Sequence, residues 1–306
     1  MARNIIHILY KRFRVDAIEN IDIESWSGPY PAAAKKCAVD ALERGKVLFF
    51  PHLRFSVEDG EETLFSAAVS NGKAKNVSYD PLTEAVQGTL LEGGERDRLR
   101  AMMERFGQTS ARFMDDLFPN YAPALERART SFRPVEVLGR HYSQKKDDRL
   151  LHVDAFPSRP TKGQRILRLF SNVDPGGNSR VWQVGEPFED FAKKFLPKSK
   201  PPIAFQPWLL AAFGITSGRR SKYDHLMLEL HDRSKLDAEY QRIAPREEIA
   251  FPAGSTWLCY TDQVLHAALG GQFAFEQTFH VDIRAMADPL RSPLKVLERM
   301  TGQALV

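Results

Sequence analysis

Cysteine is nearly missing. Cys37 and Cys259 are the only two in 306 residues, far apart and outside any Cys-x-x-Cys spacing. That excludes a disulfide framework and a thiolate-held metal, and it suits a reducing compartment. No run of about 18 apolar residues occurs, so no membrane-spanning helix is expected. The early run Ile5-Ile6-His7-Ile8-Leu9-Tyr10 is too short for a secretory signal, and the expected location is the cytoplasm. No internal repeat or low-complexity linker interrupts the chain. Neither sign of charge dominates, since 43 basic and 39 acidic residues leave a net +4. With no recognition motif besides, a nucleic-acid binder is not expected.

What the chain does contain is a large apolar fraction, 43%, with 10% aromatic and 27% charged residues. This is a globular, enzyme-like profile with enough apolar residues for a sizeable core. Basic residues bunch at Lys11–Arg14, Lys193–Lys200 and Gly218–Lys222. Such runs are ordinarily solvated surface. The sharper reading is an anionic partner: phosphate, an acidic sugar or the headgroup side of a membrane.

Periodicity predicts helices over Ala32–Arg44 and Glu95–Leu117, the second with Leu99, Met103, Phe106, Phe113 and Leu117 on one stripe and Pro119 closing it. A strand is expected at Lys46–Pro51, a loop at Asn76–Pro81, a short helix within Leu82–Leu91 and further helical turns at Tyr121–Arg129. From Ser131 the texture becomes strand-like. Strands are expected at Phe132–Arg140, Leu150–Phe156, Arg165–Asn172, Ser179–Gly185, Trp208–Phe213, His225–His231, Glu247–Pro252, Thr256–Thr261 and Phe273–Ile283, with one helix at Glu186–Leu196. Short strands joined by Gly/Pro turns imply a jelly roll. The expected class is α+β: residues 1–130 form a mostly helical region packed on the outside of a 131–306 core, the two making one integrated domain.

The residues with chemistry in them are few. On an extended segment side chains alternate, so His152 and Asp154 point the same way and present an imidazole beside a carboxylate. If His266 reaches the same spot, two His and one carboxylate share one face of a metal and leave other positions open, as non-haem Fe(II) oxygenases require. The remaining His are weighed against ordinary structural roles. His7 and His52 lack an acidic neighbour at ligand spacing, His141 is read as surface, and His225 and His231 as satisfied His on a strand. His280, on the last strand, is kept for a cosubstrate role.

The order of parts resembles the double-stranded β-helix (jelly-roll, cupin-like) oxygenases that use Fe(II) and 2-oxoglutarate: the dyad opens a strand series, a Pro-Ala-Gly-Ser turn precedes a Trp-bearing strand, and His266 follows. The resemblance implies that Fe(II) is held by His152, Asp154 and His266, with 2-oxoglutarate and O2 as cosubstrates. Arg168 then lies where part of that superfamily keeps the basic residue that grips the far carboxylate, and an Arg fork suits that task. Members that use the last strand instead would rely on His280 or Arg284. More specifically, Phe132-Arg133-Pro134-Val135, His152-Val153-Asp154-Ala155-Phe156-Pro157-Ser158-Arg159-Pro160, Arg165-Ile166-Leu167-Arg168-Leu169-Phe170 and Gln277-Thr278-Phe279-His280-Val281 resemble the Kdo hydroxylase family. That family hydroxylates C3 of the 3-deoxy-manno-octulosonic acid (Kdo) sugar of lipopolysaccharide. The resemblance implies a Kdo-lipid A substrate, and contact with the cytoplasmic face of the inner membrane is left open. Arg133 becomes a candidate for a cosubstrate or sugar carboxylate, His280 for a hydrogen-bond partner beside it, and Arg159 for the acidic substrate. Two alternatives stay open: a hydroxylase of another small molecule or protein, and a non-enzymatic cupin-like metal module.

Overall fold

The computed structural model describes residues 16–139, 143–201, 214 and 216–306. His7, His141, the basic run Lys11–Arg14 and the strand expected at Trp208–Phe213 lie outside the described residues. The first half of the chain contains β1 (Ile18–Asn20), α1 (Ala32–Glu43), β2 (Val47–Phe50), β3 (Val77–Tyr79), β4 (Val86–Gln87), α2 (Gly93–Leu117) and β5 (Leu125–Arg133). Then follow β6 (Arg165–Asn172), β7 (Arg180–Gly185), α3 (Phe188–Phe195), α4 (Lys222–Leu236) and α5 (Ala238–Ile243). The chain ends with β8 (Arg246–Phe251), β9 (Thr256–Tyr260), β10 (His266–Gly270), β11 (Ala274–Val281) and α6 (Pro293–Thr301). Among the described residues, eight strands make one sheet in the order β1-β2-β9-β6-β11-β5-β3-β4, and β10-β7-β8 make a second. This is the jelly-roll core with helices on its outside.

Alternation sorts the central strands into two faces. Leu167 and Leu169 of β6, Leu258 and Tyr260 of β9 and Phe275 and Phe279 of β11 point outward into a core shared with α2. From α2, Leu99, Met103, Phe106 and Phe113 enter it, all fully buried, and Phe106 stacks on Phe275 at 4.8 Å. Burying each such side chain stabilises the fold by about 1.5–3 kcal/mol. The opposite face looks into the space between the sheets. There Phe170 and Trp257 pack with Trp182, Ile249 and Phe251, Phe251 stacking on Trp257 at 4.2 Å. Aromatic packing thus closes one end of the roll, and charged side chains enter the rest of the inter-sheet space.

Several expectations are corrected. The N-terminal region, expected to be mostly helical and packed outside the sheet, contributes strands to it: β1 to β4 join the main sheet, β1 and β2 at one edge and β3 and β4 at the other. Asn76–Pro81 holds β3 rather than a loop, and Leu82–Leu91 holds a turn and β4 rather than a helix. Past Tyr121 the helical part is a single 3-10 turn, Ala122–Ala124, and the strand expected at Phe132–Arg140 runs instead over Leu125–Arg133. His225–His231 lies within α4, not a strand. Ser221 and Asp224 form a capping box at its start, and Tyr223, Met227 and Leu230 are its buried stripe. Finally, Leu150–Phe156 is not a full strand. It pairs with the rest of the sheet through one bridge, His152 to His266.

Candidate metal centre

That bridge is what assembles the site. The His152 amide donates to the His266 carbonyl at 3.1 Å and the His266 amide to the His152 carbonyl at 2.9 Å. On either side, local partners replace a strand ladder. Leu151 exchanges 2.9 Å hydrogen bonds with the Gln241 side chain, and the Asp154 amide donates to the Thr261 carbonyl at 2.7 Å. The turn that carries Thr261 and leads to His266 is itself anchored by a fully buried ion pair. Arg165 of β6 reaches Asp262 at 2.8 Å, donates to Gln263 at 2.7 Å and lies over the Tyr260 ring at 3.6 Å.

The structure brings the three expected ligand residues together: one donor atom from each of His152, Asp154 and His266 lies within 4.8 Å of the others. Among the described residues this is the one such group. Each imidazole is oriented through its other nitrogen. Nδ1 of His152 lies 2.7 Å from the Leu150 carbonyl and Nδ1 of His266 lies 2.9 Å from the Val264 carbonyl. Carbonyls only accept, so both Nδ1 atoms carry the proton and both Nε2 lone pairs are free for a metal. Burial, the neighbouring His266 and Lys235 push the His152 pKa well below its ordinary value, and burial lowers that of His266. Both rings are therefore neutral, the ligating form. For Asp154, burial opposes ionisation but Arg168 and the two imidazoles outweigh it, and the carboxyl sits well below the usual range. Two neutral imidazoles and one carboxylate fit Fe(II) in an open facial site.

Beside the triad, the inward face of the sheet lays out a charge relay. The register places Arg168 between Cys259 and Thr278, and Glu276 opposite Phe170 and Ser131. Arg168 lies 3.1 Å from Asp154 and 3.4 Å from Glu276, and Glu276 is also ion-paired with Arg133. Burial penalises the charges of both guanidinium groups, yet these carboxylates hold their pKa values up. Nε of Arg168, Nε of Arg133 and Nδ1 of His280 are buried without a hydrogen-bond partner among the described residues. Orphaned buried polar atoms converging on one space mark where a ligand is bound. His280 is half-buried and lines that space with Arg133 and Arg168, while Arg159 is exposed at its mouth. Arg284 is instead an exposed residue paired with Asp282.

The space is a cavity of about 760 Å³ lined by ten basic and three acidic side chains, so it selects for anions, and its size suits a small ligand with a cosubstrate. The two basic runs within the described residues do not build it: neither lines the cavity, and Lys193, Lys194 and Lys198 are engaged with Glu189, Glu186 and Asp237. Residues the sequence reading passed over do. Trp182 stacks on His266 at 5.2 Å, Arg180 donates to the Gly271 carbonyl at 2.7 Å, and His231 meets the His152 ring edge-on at 5.5 Å. Glu276 was findable as an acid that alternation puts on the same face of β11 as Thr278 and His280. His231 was not, because its segment was read with the wrong period. A second cavity, of about 980 Å³, opens beside Glu43, Glu186 and Arg299 and includes none of the triad.

Fold and site together define a cupin-like jelly roll carrying a two-histidine, one-carboxylate centre. The profile of the 3-deoxy-D-manno-oct-2-ulosonic acid (Kdo) hydroxylase family matches residues 26–304, and the chain belongs to that family. Among solved structures it is similar to the Kdo hydroxylase KdoO, a non-haem Fe(II) α-ketoglutarate-dependent dioxygenase, in complex with α-ketoglutarate and Fe(III). That match has a TM-score of 0.92 and 46% identity, over 95% of this chain and 97% of the other. The cobalt(II) complex of KdoO matches at TM-score 0.91 and 48% identity, over 94% and 97% of the two chains. A search of curated protein sequences finds no match.

Proposed function

We propose that this cavity is the active site of an Fe(II)- and 2-oxoglutarate-dependent dioxygenase that hydroxylates Kdo at C3, in the context of Kdo-lipid A. The observation that carries the reading is the meeting, in one anion-selective cavity, of three metal-ligand side chains and two buried guanidinium groups with unused donors. His152, Asp154 and His266 are the proposed iron ligands. When bound, iron with 2-oxoglutarate and O2 supplies the oxidising power that replaces a C–H bond by C–OH, with succinate and CO2 as coproducts.

The chain's own residues bind and orient. Arg168 is proposed to hold the distal carboxylate of 2-oxoglutarate, its fork already half-engaged by Asp154 and Glu276. Arg133 serves as a second cation for a cosubstrate or sugar carboxylate, and His280 as a hydrogen-bond partner through its unpaired Nδ1. Phe170, Trp182 and Trp257, close-packed at the inner end of the roll, keep water from that side of the centre. The 1–130 region and the 131–306 core act as one integrated unit on this reading, because β5 spans that boundary and pairs along β11.

No helix among the described residues is long and apolar enough to cross a membrane. A lipid-linked sugar would therefore be met at a membrane face, and the exposed Lys73, Lys146 and Arg159 at the cavity mouth suit its anionic headgroups. The test is incubation of Kdo-lipid A with the protein, Fe(II), ascorbate and 2-oxoglutarate, followed by mass spectrometry and NMR. A gain of one oxygen located at C3 is expected. Succinate formation with an unaltered lipid would refute the substrate.

A further inference from the structure

Several basic side chains that line the cavity form ion pairs with carboxylates among the described residues. Arg133 pairs with Glu276, Arg168 with Asp154 and Glu276, and Lys75 with Asp148. Lys235, in the last turn of α4, is only 1% exposed and lines the same cavity. Its Nζ donates to the Lys145 carbonyl at 3.1 Å, and among the described residues no carboxylate forms an ion pair with it. An ammonium has three donors, and a buried charge is costly unless paired. A cation in the last turn of a helix gains from the helix dipole, but a solvent-exposed side chain would gain that equally. The inward turn calls for an anion.

We propose that Lys235 holds the carboxylate of the sugar-acid substrate. This rests on the reading of the cavity as a Kdo-hydroxylating site and adds the residue that orients Kdo within it. Arg168 and Arg133 lie along the sheet with Glu276 between them, already ion-paired, whereas Lys235 comes from α4, one turn beyond His231, whose ring meets that of His152 at 5.5 Å. An anion at Lys235 therefore sits beside the metal triad. In Kdo the carboxyl carbon, C1, is two bonds from C3, so anchoring it presents the C3–H bond to the centre. A phosphate of the lipid portion is the other anion with matching chemistry, and the test separates the two.

The experiment measures binding of free Kdo and of its C1 methyl ester to protein loaded with Co(II) and 2-oxoglutarate, by calorimetry, in wild type, Lys235→Met and Lys235→Arg. Loss of one charge-assisted bond predicts that Lys235→Met weakens Kdo binding at least about tenfold, that Lys235→Arg recovers most of the loss, and that the ester binds all three proteins equally. The affinity for 2-oxoglutarate stays within about twofold, and the melting temperature of Lys235→Met does not fall, because an unpaired buried charge has been removed. Equal losses for Kdo and its ester would show a structural lysine and overturn the assignment. So would a loss confined to 2-oxoglutarate, or inorganic phosphate binding abolished in Lys235→Met with Kdo binding intact. Wild-type protein that binds neither Kdo nor the ester would refute the hydroxylase reading itself, and the role of Lys235 with it.

Discussion

Replacing Arg168 by Ala tests how the cosubstrate is held. The guanidinium lies in the cavity 3.1 Å from Asp154 and 3.4 Å from Glu276, with Nε unpartnered, so it can offer a carboxylate a charge-assisted grip without moving far. Hydrogen bonds to charged groups contribute about 1.5–3 kcal/mol, and about 1.4 kcal/mol is tenfold in affinity. The 2-oxoglutarate requirement should therefore rise about 10- to 150-fold, while the KM for Kdo-lipid changes little. Arg168→Lys keeps the charge but loses the planar fork, so its value should fall between the two. The assay is succinate release against 2-oxoglutarate concentration at saturating lipid. An unchanged 2-oxoglutarate KM in Arg168→Ala would refute the assignment and move the clamp to Arg133 or the last strand.

His152→Ala and His266→Ala should abolish succinate formation while circular dichroism and the melting temperature of metal-free protein stay close to wild type. Co(II) at a hundredfold excess over its Kd should stabilise the wild type by about 2.7 kcal/mol, read as a rise in melting temperature that EDTA reverses and that His266→Ala lacks. Arg165→Met strands Asp262 in a fully buried position and should cost about 3–5 kcal/mol in denaturant unfolding; a loss under 1 kcal/mol would show that the turn before His266 is held by other contacts. Phe106→Ala, at the centre of the α2 core, should cost about 3–5 kcal/mol by the same assay, with 2-oxoglutarate affinity unchanged in the surviving folded protein.

The parts of the fold legible in the sequence are those whose period is long enough to count. α2 showed five apolar positions on one stripe, and β6, β7, β9 and β11 alternate over five to eight residues. β3 and β4, at three and two residues, are too short to have a period, and only the pairing of β3 with β5 and of β4 with β3 makes them strands. In β5, Glu126, Arg127 and Arg129 hide the alternation that Phe132 completes. α4 misled because Leu226, Leu228 and Leu230 alternate in sequence although the helix buries Tyr223, Met227 and Leu230; the better signal was Ser221 with Asp224 three residues on. The triad was legible from the His-x-Asp spacing and the family likeness, even though one bridge, not a strand, holds it. Lys235 was illegible as a site residue because neighbours distant in sequence decide what it faces.

The central claim is that His152, Asp154 and His266, drawn from two separate segments, hold one iron next to the cosubstrate. A ferrous ion chelated by a 2-oxo acid absorbs visible light by charge transfer, so anaerobic titration of Fe(II) into protein with 2-oxoglutarate measures that directly. The predicted result is an absorption that saturates at about one iron per chain in the wild type and does not develop in His152→Ala or His266→Ala. Undiminished absorption in His266→Ala would contradict it.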